Sequence, residues 1–399
     1  AMYDELKKYD NAEVYLTRTE DVGMSLKDRA EIAASVDADF LFSLHYNASL
    51  SHELYGSEVW ISSKEPYQEY GYQFACVQME SMQDMGLFLR GVKTRIGDNN
   101  DDYYGIIREC VALSVPAVII EHCHVDNDRD AAYCDSDEAL EAFGRADALS
   151  AAKYLGLYST ELGVDYRSLS SELADVSESG SMYLTVNNYT GPEICNIEIS
   201  DINYDTGDVI VDVAAADYSG MLLYYDYSID GGQSYSQKEP WPDSNIFTGE
   251  YDDTPQIVIN IPSNTDADII FRAYDLFDLY TESNTASIDG FVYGDEAVKA
   301  ASASASVNST DVAEAGLSAA EADTAAVASS EAALPGTTTF KPDETVSEEE
   351  TVSFFSFLII CLIIVLLLFV IVIVSQMITR SRRRKRRRRR MEDSNRYRR

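Results

Sequence analysis

From Ser353 to Ser375 the chain runs through 23 residues without a charge, most of them Phe, Leu, Ile and Val. It then enters Arg382-Arg383-Arg384-Lys385-Arg386-Arg387-Arg388-Arg389-Arg390. A helix of that length, rising about 1.5 Å per residue, covers about 34 Å, against roughly 30 Å of bilayer hydrocarbon. A buried soluble helix seldom stays apolar on every face for so long. The pattern predicts one transmembrane helix over 353–378 and a lipid bilayer as partner. A cytoplasmic basic tail follows over 379–399, with everything before the span outside the cell. An exported body needs an export signal, and the polar opening Ala1-Met2-Tyr3-Asp4-Glu5-Leu6-Lys7-Lys8 does not supply one. The expectation is therefore a missing upstream segment, longer than a signal peptide.

Charge separates the tail from the body. Of 31 Lys/Arg and 68 Asp/Glu, the last 20 residues hold 13 and 2, which leaves 18 against 66 in the body. So acidic a body is repelled by nucleic acid, which excludes a nucleic-acid binder. The six cysteines, at 76, 110, 123, 134, 195 and 361, show no C-x-x-C spacing. They read as buried small side chains, although an exported location leaves pairing open.

Residues 1–157 alternate strand-like and helix-like segments. Glu13–Thr17, Phe40–His45, Gly56–Ile61, Tyr104–Arg108 and Ala117–Glu121 read as strands. Helices are predicted from the capping-box-like Ser25-Leu26-Lys27-Asp28 through Val36, from Pro66 to about Gly86, and from Ser136 to Leu155. Strands separated by helices predict an α/β fold, a mixed sheet with helices on both faces and ligands at its strand ends. After a linker over 158–189, residues 190–292 lose the helical period. Val209–Val213, Gln256–Ile261 and Asp268–Tyr274 read as strands, and Tyr224–Tyr235 as a hairpin turning at Asp230-Gly231-Gly232. This predicts an all-β sandwich of immunoglobulin or fibronectin type. Ser228–Tyr235 resembles an Asp-box turn, which as a single copy reads as a hairpin corner. Residues 293–352 are rich in Ala, Ser, Thr and Glu and read as a disordered stalk.

His45, in Ser43-Leu44-His45-Tyr46-Asn47-Ala48, closes one apolar run, and Glu121, in Pro116-Ala117-Val118-Ile119-Ile120-Glu121, closes another. An imidazole and a carboxylate at strand ends can hold a metal and move a proton beside it. One histidine alone is more often an ordinary core residue than a ligand. An ordered series surrounds it. Val14-Tyr15-Leu16-Thr17-Arg18, Asp21, Ser25-Leu26-x-x-Arg29, Ile32-Ala33 and Ala38-Asp39 precede the His45 segment. Gly56-x-Glu58-Val59, the Glu121 segment, Asp126-Asn127 and Asp130 follow it. Over residues 1–157 the series resembles the zinc-dependent N-acetylmuramoyl-L-alanine amidase family (amidase family 3), whose members cut bacterial peptidoglycan.

The resemblance implies a zinc cofactor, with His45 as a zinc ligand and Glu121 as the catalytic glutamate. Zinc-activated water would cleave the amide between N-acetylmuramic acid and L-alanine. Asn47, beside the ligand, would orient the site or bind substrate, and Arg18 and Arg29 would be structural. The family's first histidine, in an Asp-x-Gly-His-Gly-like segment, and its ligand glutamate would precede Ala1, so the chain as given is expected to be truncated and poorly active. His52 and His124 are the substitute donors to weigh, whereas His122 should face the opposite side of the sheet. The alternative is a non-catalytic wall-binding or scaffold protein with a degenerate amidase domain. A single-span receptor glycosylated at Asn188 and Asn308 is a third reading.

Overall fold

The computed structural model describes residues 1–169, 184–185 (backbone only) and 190–294, all within one compact unit, Ala1–Glu314. Helix α1, Met2–Leu6, opens the chain, and α2, Leu26–Ser35, follows. Ser25 caps α2 by accepting from the Asp28 amide at 3.1 Å, and Ala30 and Ala33 form its buried face. Then come β1, Leu41–Asn47, β2, Ser57–Ile61, α3, Tyr67–Asp84, and β3, Leu89–Lys93. Helix α4, Gly105–Ala112, precedes β4, Ala117–His124, and α5, Asp128–Ala131, precedes α6, Asp137–Leu155. The glycine at 144 lets the N-terminus lie against α6, since a Cβ there would fall 2.4 Å from Ala1 Cβ.

After α6 comes a small antiparallel hairpin of β5, Tyr158–Ser159, and β6, Val164–Asp165. Strand β7, Leu184–Thr185, pairs with β3. The first sheet runs β1-β4-β2-β3-β7. It is mixed, because β4 is parallel to β1 and antiparallel to β2, while β2 and β3 are parallel. Val59, Ile61, Val118 and Ile120 face a core shared with α3 and α6; Trp60, Ala117 and Ile119 face α2 and α4. Helices therefore cover both faces, as the alternation predicts.

Three local expectations change. Residues 105–108 belong to helix α4 and Tyr104 is its extended N-cap, because Ile106, Ile107 and Cys110 fall at helical spacing and pack on Ala30 and Ala33. Glu13–Thr17 forms no strand; Tyr15 and Leu16 stay exposed and the backbone finds no ladder. Strand β3 went unpredicted because Arg90, Gly91 and Lys93 interrupt its apolar pattern.

The later region contains β8, Ile194–Asn203, β9, Asp208–Ala216, β10, Leu222–Ser228, and β11, Glu239–Pro240. It continues with β12, Gln256–Asn260, β13, Ala267–Asp275, β14, Tyr280–Glu282, and β15, Ala286–Ile288. One sheet runs β12-β9-β8; the other runs β11-β10-β13-β14, with β15 also on β13. Alternate residues Val209, Val211 and Val213 of β9 meet Ala267, Ile269 and Phe271 of β13 in one core. The region is β-rich and two-layered. Asp230 accepts from the amides of Gln233 and Ser234 at 2.9 Å and from Ser234 Oγ at 2.5 Å, so its carboxylate is used inside the turn.

Met221, Leu223, Tyr224, Tyr274 and Leu276 pack into the same cluster as Val59 and Val92 of the first sheet. The cysteines at 76, 110, 123, 134 and 195 are free thiols, four of them buried. Among the described residues no helix is long and apolar enough to cross a membrane. The predicted span over 353–378, the basic tail, Cys361 and all but the first two residues of the predicted stalk lie outside the described residues.

Candidate active site

Strand register builds the site. His45 on β1 pairs with Glu121 on β4, which pairs with Glu58 on β2. Residues paired across a sheet share a face, so the three side chains form a row on the α2/α4 side. Sequence reasoning picked out the first two, and the sheet makes them neighbours.

His45 is exposed, and its Nε2 lies 2.9 Å from Ser43 Oγ. Desolvation, then the Arg29 and His122 charges, lowers its pKa below the usual histidine value, which keeps a neutral imidazole near pH 7. Its backbone carbonyl accepts from His122 Nδ1 at 2.8 Å. His122 lies on the other face, as predicted, with Nε2 3.0 and 3.1 Å from the two oxygens of Asp147 on α6. Burial lowers the His122 pKa, but the Asp147 carboxylate overrides it and the net shift is upward. The imidazolium thus donates on both sides.

Glu121 is pushed up to about 7, first by burial and then by the charge of Glu58, with His122 opposing. Its Oε2 is buried without a hydrogen-bond partner. A carboxyl that is half ionised near neutrality with one uncommitted oxygen can accept and return a proton.

Glu58 is the opposite. Asn47 Nδ2 and Trp60 Nε1 donate to its Oε1 at 3.0 Å each. Arg90 Nε at 3.0 Å and Lys93 Nζ at 2.6 Å donate to its Oε2. Burial alone would raise its pKa, but Lys93 and Arg90 overcome that and hold it well below the carboxylate range. Glu58 is 3 %, Arg90 2 % and Lys93 1 % exposed, so these are buried ions surviving on mutual compensation. The Asn47 carbonyl oxygen accepts from the Ala48 amide at 2.9 Å. Both polar ends of Asn47 are therefore engaged within the protein.

The Gly56 backbone sets up β2. Its φ is +102°, and a Cβ there would fall 2.6 Å from the Phe88 carbonyl oxygen, a placement only glycine tolerates. Arg18 Nη1 donates to the Val22 carbonyl at 3.0 Å and Arg29 Nε to the Met24 carbonyl at 3.4 Å, bracing the entry to α2.

The other histidines do not join His45. His52 Nδ1 is 2.8 Å from Asp126 Oδ2, and the buried His124 directs Nδ1 toward the Gly56 carbonyl at 3.2 Å. Among the described residues no group of three or more His, Cys, Asp or Glu side chains could hold a metal ion. One neutral imidazole beside one carboxylate does not satisfy a four-coordinate zinc, so these residues do not by themselves fit the metal. Sequence reasoning missed the Arg90–Lys93–Asp278 side of the Glu58 network. The one available signal was a glutamate, Glu58, directly before the apolar run Val59-Trp60-Ile61.

The site so far is a strand-end imidazole beside a glutamate on a mixed, helix-covered α/β sheet. Residues 1–153 match the family described as N-acetylmuramoyl-L-alanine amidase, which is what this part of the chain is similar to. Among solved structures, the chain is similar to Cwp6 from Clostridium difficile at 24% identity, covering 38% of this chain and 23% of that one, TM-score 0.35. The catalytic domain of CwlV, an N-acetylmuramoyl-L-alanine amidase from Bacillus (Paenibacillus) polymyxa var. colistinus, is 24% identical over 39% of this chain and 82% of its own, TM-score 0.33. An N-acetylmuramoyl-L-alanine amidase from Clostridium difficile 630 is 22% identical over 39% and 77%, TM-score 0.34. The chain thus spans less than a quarter of Cwp6. No curated protein matches the sequence.

Proposed function

We propose that the protein acts on peptidoglycan at the amide between N-acetylmuramic acid and L-alanine. The observation that carries this is the registered pair His45–Glu121 inside a domain matching the amidase family. Glu121 is the proton acceptor, taking a proton from the attacking water and delivering it to the leaving amine. Its uncommitted Oε2 supports the role. His45 offers a neutral nitrogen suited to zinc as one donor. Because the described residues bring no further donors to it, weak zinc binding and slow hydrolysis are expected of them. Asn47 orients the site through Glu58.

The apolar run over 353–378 and the arginine cluster support a membrane tether, with residues 1–352 at the cell surface and the tail in the cytoplasm. In this reading the β-rich region is a sandwich of immunoglobulin or fibronectin type. The single metal donor favours a second reading, a wall-binding protein that retains the substrate without turnover.

The test incubates the full chain with purified peptidoglycan and zinc, measuring retention on the wall and released stem peptides. Slow release that falls at least about 100-fold in Glu121→Gln and His45→Ala, with retention unchanged, is the expected result. Retention with no release above the Glu121→Gln background points to the second reading. Absence of both sinks the two together.

A further inference from the structure

Arg90 belongs to β3 of the α/β domain, yet two of its three guanidinium nitrogens are held from the β-rich region. Nε donates to Glu58 at 3.0 Å, but Nη1 donates to Tyr224 Oη at 2.9 Å and Nη2 to Asp278 Oδ2 at 2.7 Å. Tyr224 Oη in turn donates to the Tyr55 carbonyl at 2.5 Å, one residue before the glycine that sets up β2. At 2 % exposure, water cannot replace these partners. The remaining links across the boundary strengthen the same seam. Arg129 Nη2 reaches Glu239 at 2.6 Å, and its Nη1 donates to Tyr55 Oη at 3.0 Å. Lys238 Nζ joins Glu53 at 2.8 Å to Asp226 at 3.3 Å. Leu276 comes so close to β3 that a Cβ on Gly91 would meet its side chain at 3.5 Å.

From this chain of contacts we propose that the β-rich region is a built-in part of the catalytic unit, with Tyr224 and Asp278 as positioning residues. They fix Arg90, Arg90 fixes Glu58, and Glu58 fixes Asn47 behind the His45–Glu121 pair. The proposal rests on that pair being the working face. It assigns the later region a role that a detachable wall-binding module would not have. The middle links, among Tyr224, Arg90 and Glu58, join groups at most 3 % exposed, while Asp278 and Asn47 at the two ends are partly buried. A displacement at the far end therefore leaves an unpaired buried charge at the near end.

Trp60 provides a reporter that needs no turnover, because its indole donates to Glu58 and Trp241 is the only other tryptophan. In the full chain carrying Trp241→Phe, the Trp60 emission of Tyr224→Phe and Asp278→Asn is compared with the parent. Full chain labelled with nitrogen-15 asparagine reports the Asn47 side-chain amide in the same variants. Both variants are expected to shift the Trp60 emission maximum and to displace the Asn47 amide signals. Phe277 lies 6.1 Å from the Trp60 ring, so Asp278→Asn can move the emission by contact alone. The emission is therefore judged on Tyr224→Phe, and Asp278→Asn is judged on Asn47. Should one variant lose the fold, the other decides. A variant that keeps the parent's circular dichroism and melting temperature while its assigned signal stays unmoved overturns the proposal. Failure to release stem peptides leaves this result standing, so the two readings fail separately.

Discussion

Glu58 and Glu121 are the same residue type, on adjacent strands, directly opposite in register and on one face. Yet Glu58 is held well below the ordinary carboxylate range, while Glu121 rises to about 7. Burial does not explain the split, because the more deeply buried of the two is the one that stays ionised. Partners explain it. Glu58 accepts from four donors, two of them cationic, whereas Glu121 has an oxygen with none and a charged neighbour across the ladder. One carboxylate is committed to structure and the other is left able to exchange a proton.

The strongest way to break this contrast is Arg90→Met. It strands Glu58 and Asp278 without their guanidinium and should cost about 3–5 kcal/mol of stability in chemical denaturation. A loss below about 1 kcal/mol would mean that Lys93 alone satisfies Glu58. Next in size is the pH trend of Glu121→Gln. A carboxyl whose folded pKa is raised loses stability as pH climbs from its unfolded value, near 4.5, through about 7. Across that window the variant should gain about 1–3 kcal/mol on the parent and then level off. Glu58→Gln should behave oppositely. With a lowered folded pKa, Glu58 contributes in full above its unfolded pKa, so this variant's deficit should stay flat between about pH 5 and 8. A slope there would show that the network is less closed than its distances indicate. Smallest is Asn47→Ala, which removes one of four donors to Glu58 and should cost about 1 kcal/mol by thermal melting.

Much of the α/β domain was legible because its elements carry local signals. Ser25 opens α2 with a cap, the runs at 40–45 and 117–121 are short and mostly apolar, and α3 and α6 are long and periodic. Tyr104–Arg108 misled because a few apolar residues fit a strand or a helix equally, and the packing of Cys110 on α2 decided between them. Strand β3 was illegible for another reason. Arg90 and Lys93 look like surface residues until Glu58 and Asp278, 32 and 188 positions away, are brought to them. The candidate site divides in the same way. His45 and Glu121 end apolar runs and are visible as pattern, whereas the buried charge network exists only in three dimensions.

The imidazolium of His122 has a consequence for the strand above it. Among the described residues β1 is the outermost strand of its sheet, and the end of such a strand ordinarily frays. Here a cation anchored to α6 grips the carbonyl of His45 from beneath, so the residue is fastened through the thickness of the sheet. Because the His122 pKa is raised, this fastening is complete below its unfolded value and weakens as alkali strips the proton. Raising the pH past the elevated His122 value should therefore free the tip of the strand while the rest of the sheet stays closed. Amide exchange at residues 44–47, measured against residues 118–120, reads that local melting directly; equal acceleration in both segments would count against it.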